Sequence, residues 1–184
     1  MKIAYIIFEG VTWLDLIGCY DPVSRLKSNN YIPLSWDICG YRETNQDVFG
    51  LQIKPTHIRN QLSGYDAIIV PGGIGTRQLQ FDSEFNDWLM TAEPVKYKIS
   101  ICTGSLLLGS AGFLKNKKAT TNFQEYEALK PYCGQVVKER IVDDDNIITA
   151  GAVTASIDLG LYLCKKWAGN EAAENIRKKI DYHG

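Results

Sequence analysis

Ile101-Cys102-Thr103-Gly104 closes one apolar run and opens another. A cysteine where a strand hands over to a helix meets the free amides and positive end of that helix, which stabilise a thiolate and depress its pKa. Gly104 lets the helix pack close to the strand, as glycines do in a nucleophile elbow. The chemistry this favours is attack by sulfur on an electrophilic carbon. Cysteine is also among the most buried residue types and often only fills space, so the local residues leave both accounts open.

Two other stretches end in the same way. YDAIIVPGGIG, Tyr65–Gly75, runs into Pro71-Gly72-Gly73 and then a helical segment. Consecutive glycines let backbone N–H groups turn toward a neighbour and meet developing negative charge, although Pro-Gly-Gly is also ordinary turn chemistry. In FEGVTWLDLIG a first strand ends at Phe8, Gly10 turns, and Thr12 begins a helix with Asp15 three residues on. Thr-x-x-Asp is a capping-box pattern and gives Asp15 a structural account. A carboxyl beside a thiolate in one low-dielectric cleft holds its proton, because two anions there repel. That makes it a ready proton donor. The two histidines, His57 in an edge segment and His183 next to the last residue, neither end a strand nor follow the cysteine. A histidine-assisted thiol hydrolase therefore fits poorly, and the expected partner of Cys102 is a carboxyl.

The elements that must position these groups are legible in the hydrophobic pattern. Ile3–Phe8, Ala67–Val70, Ile99–Cys102 and Ile147–Ala150 are almost wholly apolar, the mark of strands covered on both faces. Helical periodicity predicts helices over Thr12–Lys27, Thr76–Met90, Gly104–Leu114, Phe123–Leu129, Val153–Trp167 and Glu171–Ile180. Strand alternating with helix predicts an α/β fold, a doubly wound and mainly parallel sheet sandwiched by helices. Ligands collect at the carboxyl ends of strands in such sheets, where all three motifs lie. Leu34–Cys39 and Val48–Pro55, joined through Gly40–Asp47, read as strands of an edge excursion. Gln135–Val142 and Asn146–Ala150 flank Asp143-Asp144-Asp145 as a hairpin, and Lys115–Lys118 reads as an exposed loop.

The 184 residues suit one domain, 1–184, with room for a substantial core. A formal net charge of −1 gives no field toward nucleic acid or an anionic membrane. The opening apolar run is too short for a signal peptide or a membrane span, so the expected location is cytoplasmic. Cys19, Cys39, Cys102, Cys133 and Cys164 are odd in number and lack metal-ligand spacing. They read as free thiols, with no metal site.

These residues together resemble the DJ-1/PfpI superfamily, of class I glutamine amidotransferase-like fold. The resemblance rests on Asp15, the Pro71-Gly72-Gly73 turn and the Cys102 elbow, and extends to NKKATTNF and ITAGAVTASIDLGLYL. Cys-Thr-Gly at 102–104 is similar to the isonitrile hydratase branch and to the sensing domains of some AraC-type regulators, where other branches carry Cys-His-Gly or Cys-Ala-Gly. The resemblance implies a flavodoxin-like fold, a homodimer, and hydration of a small isonitrile to an N-substituted formamide without cofactor. It implies Cys102 as nucleophile and Asp15 as general acid/base. Thr103 and the Gly73 amide would bind the substrate or its oxyanion, and Trp13 and Ile74 would accept the organic group. Asn122 stands where relatives commonly have histidine. Cys19 stands where many have proline, one helical turn from Asp15, and is expected to fill space. Arg77 and Asp158 are expected in caps or salt bridges.

Two other functions fit the same residues. A DJ-1-type redox or carbonyl-stress protein would oxidise Cys102 reversibly or turn it on glyoxals. A ligand-sensing domain would bind a small molecule without chemistry. The chain stops at Gly184, near the expected domain end and without a helix-turn-helix pair, so no direct nucleic-acid contact is expected.

Overall fold

The computed structural model describes residues 1–184. In chain order the strands are β1 (Lys2–Ile7), β2 (Ser35–Gly40), β3 (His57–Ile58), β4 (Ala67–Val70), β5 (Tyr97–Ile101), β6 (Lys118–Ala119), β7 (Gln135–Val136), β8 (Ile141–Asp144) and β9 (Ile147–Ala150). The helices are α1 (Trp13–Ser28), α2 (Thr76–Leu79), α3 (Ser83–Met90), α4 (Gly104–Ser110), α5 (Tyr126–Leu129), α6 (Ala155–Ala168) and α7 (Asn170–Lys179). Seven strands form one sheet in the order β3-β2-β1-β4-β5-β9-β8, parallel except for β8. The fold is the doubly wound α/β sandwich that the pattern predicts, flavodoxin-like as the resemblance implies. Helices α1, α6 and α7 pack together on one side, and α2, α3 and α5 gather round α4 on the other.

Strands β4 and β9 are buried along their whole length, which is why neither carries a polar alternation. Chain order reverses between β1 and β4, so a crevice opens at their carboxyl ends. Asp15 near the start of α1, the turn after β4 and the elbow after β5 all face that end of the sheet. No helix is long and apolar enough to cross a membrane.

Three expectations need correction. Val48–Pro55 is not a strand. Asp47 gathers the segment into a loop, its carboxylate accepting the N–H groups of Phe49 and Leu51, with Gly50 at φ +89°. Only a bridge between Gln46 and Gln52 and the short β3 remain. The helix over 76–90 is two, because Asp82 leaves the helical conformation and caps α3 through the Phe85 N–H. The segment 135–142 is divided between β7, which pairs with β6 apart from the main sheet, and β8 of the hairpin with β9.

The elbow depends on the absence of a side chain at Gly104. A Cβ there would lie 2.2 Å from the Val70 carbonyl oxygen and 2.7 Å from that of Pro71. Both are backbone atoms of the strand end and cannot swing aside. Gly104→Ala is therefore expected to destabilise the fold by about 1–3 kcal/mol through overpacking, despite alanine's better helix propensity. Urea denaturation checks this, and an unchanged midpoint would mean that α4 does not press on β4.

Candidate active site

Cys102 sits between β5 and α4 at φ +53°, a left-handed conformation that costs a non-glycine residue about 1–3 kcal/mol. Its neighbours hold it there. The Cys102 N–H donates to the carbonyls of Ala150 and Gly151, each at 3.0 Å. Its carbonyl accepts from the hydroxyls of Thr121 at 3.0 Å and Ser105 at 3.2 Å. Strand β9 and the segment after β6 thus fix the direction of the thiol.

Asp15 is fully buried, and its Oδ2 accepts the Gly72 N–H at 2.9 Å. Gly72 is the wedge between acid and thiol. A Cβ on it would meet Asp15 Oδ2 at 2.8 Å, Cys102 Cβ at 2.8 Å and Thr103 N at 2.7 Å. Residues 15, 72 and 102, distant in sequence, therefore converge on one spot. The Asp15 Oδ1 is buried with no hydrogen-bond partner.

The electrostatics follow from that burial. Asp15 rises from the ordinary 3.8 to about 7, because burial disfavours its charge more than the Gly72 N–H and the Cys102 thiol stabilise it. Cys102, 5% exposed, is also raised, first by burial and then by repulsion from ionised Asp15. Hydrogen bonds from Asn122 and from the Thr103 and Val153 backbone pull it the other way. The depressed thiolate expected from the helix end is thus corrected. Desolvation outweighs the donors, and the resting sulfur is a thiol beside a half-ionised acid.

The remaining expected site residues fall in different places. The Gly73 N–H is not free, since it donates to Thr103 Oγ1 at 3.0 Å. Thr103 is itself buried, and its hydroxyl lies 3.3 Å from the Gly73 carbonyl. The two residues tie the glycine turn to the elbow and do not present these groups to a substrate. Ile74 is 51% exposed and lines a cavity with Glu9, Asp47, Val48 and Arg77 that does not include Cys102. Trp13 is buried and donates from Nε1 to the Leu51 carbonyl, pinning the loop after β2. Cys19 lies in the core against Tyr5 and Cys164, its pKa far raised by burial. Arg77 pairs with Glu125 at 2.6 Å, and Asp158 pairs with Arg140.

Sequence reasoning missed the Val153 N–H as a donor to the sulfur. Nothing local marks it, because it arrives with the turn after β9. It also missed a cavity of about 320 Å³ lined by Thr121, Phe123, Tyr126, Gly151 and Ala152 together with the charged Lys138, Glu139 and Arg140, which like the Ile74 cavity does not include Cys102 itself. Thr121 and Gly151 are the residues that hold the Cys102 backbone, so this space adjoins the elbow.

The buried acid has a consequence for stability. The folded chain holds the Asp15 proton up to about pH 7, whereas the unfolded chain releases it near 3.8. Asp15 thus contributes stability that is complete below pH 4 and is lost as pH rises through 7. Asp15→Asn is expected to be more stable than the parent by about 2–4 kcal/mol at pH 8, with the gap closing toward pH 4. Chemical denaturation at both pH values checks this, and a gap independent of pH would place the carboxylate in water.

Comparison with known proteins identifies the family of the chain. The sequence matches the DJ-1/PfpI family over residues 1–166. It is 36% identical to the isonitrile hydratase of Pseudomonas putida over 99% of this chain and 78% of that protein. It is 28% identical to the DJ-1alpha protein of Drosophila melanogaster over 63% of this chain and 54% of that one. The crystal structure of a ThiJ/PfpI family protein from Pseudomonas syringae superposes with a TM-score of 0.90 at 29% identity, covering all of this chain and 75% of that one. Drosophila DJ-1beta superposes with a TM-score of 0.85 at 20% identity, covering all of this chain and 98% of that one. The chain belongs to the DJ-1/PfpI family.

Proposed function

We propose that the protein hydrates a small isonitrile to the corresponding N-substituted formamide, with Cys102 as nucleophile and Asp15 as the proton carrier. The observation that carries this reading is the buried Asp15, half-ionised near pH 7, wedged by Gly72 against the Cys102 elbow. The isonitrile hydratase relative supports the substrate class.

The terminal carbon of an isonitrile accepts a nucleophile and must then gain a proton. Ionised Asp15 takes the thiol proton as the sulfur–carbon bond forms, then delivers it to the same carbon, leaving a thioimidate on Cys102. Water adds to that carbon, and its departing proton passes through Asp15 to the substrate nitrogen. The carbon–sulfur bond then breaks as the hydroxyl proton returns to sulfur. The formamide leaves with the thiol and carboxylate restored. Thr103 and Gly73 act by holding the two turns together. The organic group is assigned to the cavity beside the elbow, where Phe123, Tyr126 and Ala152 offer apolar surface, in place of Ile74 and Trp13.

A redox-sensing role draws on an accessible, low-pKa thiol. Cys102 is nearly buried and raised, so the hydratase reading is preferred. A homodimer fits the exposed apolar residues Leu14 and Ile17, 47% and 42% accessible on α1 either side of Asp15. In light scattering the expected mass is twice 20.6 kDa, and Leu14→Glu with Ile17→Glu is expected to halve it.

Formamide release from an aliphatic isonitrile tests the chemistry. Cys102→Ala is expected to reduce turnover to background, and Asp15→Asn to lower it by about 10²–10⁴-fold. In the parent protein kcat/KM is expected to rise with pH through about 7, as Asp15 becomes the base, and to fall once the thiol has also ionised and no proton is left to deliver. Turnover that survives Cys102→Ala would remove the proposal, and binding of isonitrile without turnover in the parent would favour a sensing domain.

A further inference from the structure

Asn122 reaches the Cys102 sulfur with an amide, a group that does not titrate. Its Nδ2 lies 3.5 Å from Cys102 Sγ. The orientation of that amide is set from outside the site. Asn122 caps the 3₁₀ turn Phe123–Glu125, and its Oδ1 accepts the Gln124 N–H at 3.0 Å. With the oxygen committed to the cap, only the NH₂ end faces the sulfur. The turn is fastened in place by the Arg77–Glu125 pair and by the Thr121 hydroxyl on the Cys102 carbonyl.

We infer that Asn122 is a dedicated thiolate donor, a fixed amide that stabilises the Cys102 sulfur anion without itself changing charge. A hydrogen bond to a thiolate is stronger than one to a thiol, so the contact favours the ionised sulfur at attack and again when sulfur leaves carbon. An imidazole in this place would donate differently across the neutral range, whereas an amide donates identically throughout. Asp15, from α1, is the ionisable side chain that acts on the sulfur, and the Thr103 and Val153 N–H groups complete its surroundings. Protonation near neutrality is thereby left to Asp15 alone. This inference rests on Cys102 being the nucleophile, but not on an isonitrile being the substrate.

The test is the pH dependence of Cys102 alkylation by iodoacetamide, followed by peptide mass spectrometry so that the other four cysteines do not contribute. Asn122→Ser keeps a hydroxyl oxygen to accept the Gln124 N–H and takes the donor away from the sulfur without adding charge. Asn122→Ala removes both cap and donor. The midpoint is expected to rise by about one pH unit in Asn122→Ala and in Asn122→Ser. A residue that served only to cap the turn would leave the Asn122→Ser midpoint where it was. That result, or a midpoint unmoved or lowered in Asn122→Ala, overturns the inference, and either variant decides alone if the other does not fold. Formamide assays on the same variants separate the two proposals. Shifted alkylation with no turnover in the parent would leave the donor role standing and remove the hydratase.

Discussion

Everything at this site depends on keeping one carboxyl group out of water. Asp15 Oδ2 accepts the Gly72 N–H, the Cys102 thiol adds a weaker stabilisation, and Oδ1 has no partner. A buried carboxylate with so little compensation is expensive to ionise, and the raised pKa is that expense expressed as proton affinity. Burial of this kind survives only on a rigid frame. The frame is made from backbone contacts too close for side chains: Gly104 on the end of β4, Gly72 between acid and thiol. Thr103 then joins the glycine turn to the elbow.

The same exclusion of water sets the state of the sulfur. Helix ends and backbone amides are usually invoked to make a cysteine reactive by lowering its pKa, and such donors do face Cys102. Here they are outweighed by desolvation and by the neighbouring acid. A thiol that stays protonated until an adjacent base removes its proton suits addition to a carbon that must then be protonated. A permanent thiolate would attack readily but would bring no proton with it. Under the proposed function the pair would trade intrinsic nucleophilicity for possession of the proton that the product requires.

The fold was legible because its determinants are local. Runs without polar alternation at Ala67–Val70 and Ile147–Ala150 are strands buried on both faces, with those boundaries. Asp82 and Asp47 show where local signals compete. Each uses its carboxylate to bond backbone N–H groups, ending a helical pattern in one case and curling a β-rich segment into a loop in the other. Within the site, the convergence of Asp15, Gly72 and Cys102 followed from strand order. The balance of burial against donors at Cys102 did not, because desolvation is a property of the assembled layers and leaves no mark on neighbouring residues. The Val153 N–H and the commitment of Gly73 to Thr103 were hidden for the same reason.

Backbone strain, burial and chemistry coincide at position 102. Its left-handed φ is tolerated because four hydrogen bonds from three segments fix its peptide groups. Those segments, after β5, β6 and β9, also deliver the Thr103, Asn122 and Val153 donors to the sulfur. The groups that hold the strained backbone and those that tune the thiol therefore cannot be separated. Displacing any of the three turns would relax the elbow and strip a donor in one movement. An energetic coupling of that kind fixes the thiol against the acid, since the geometry is enforced by the same contacts that keep the core closed.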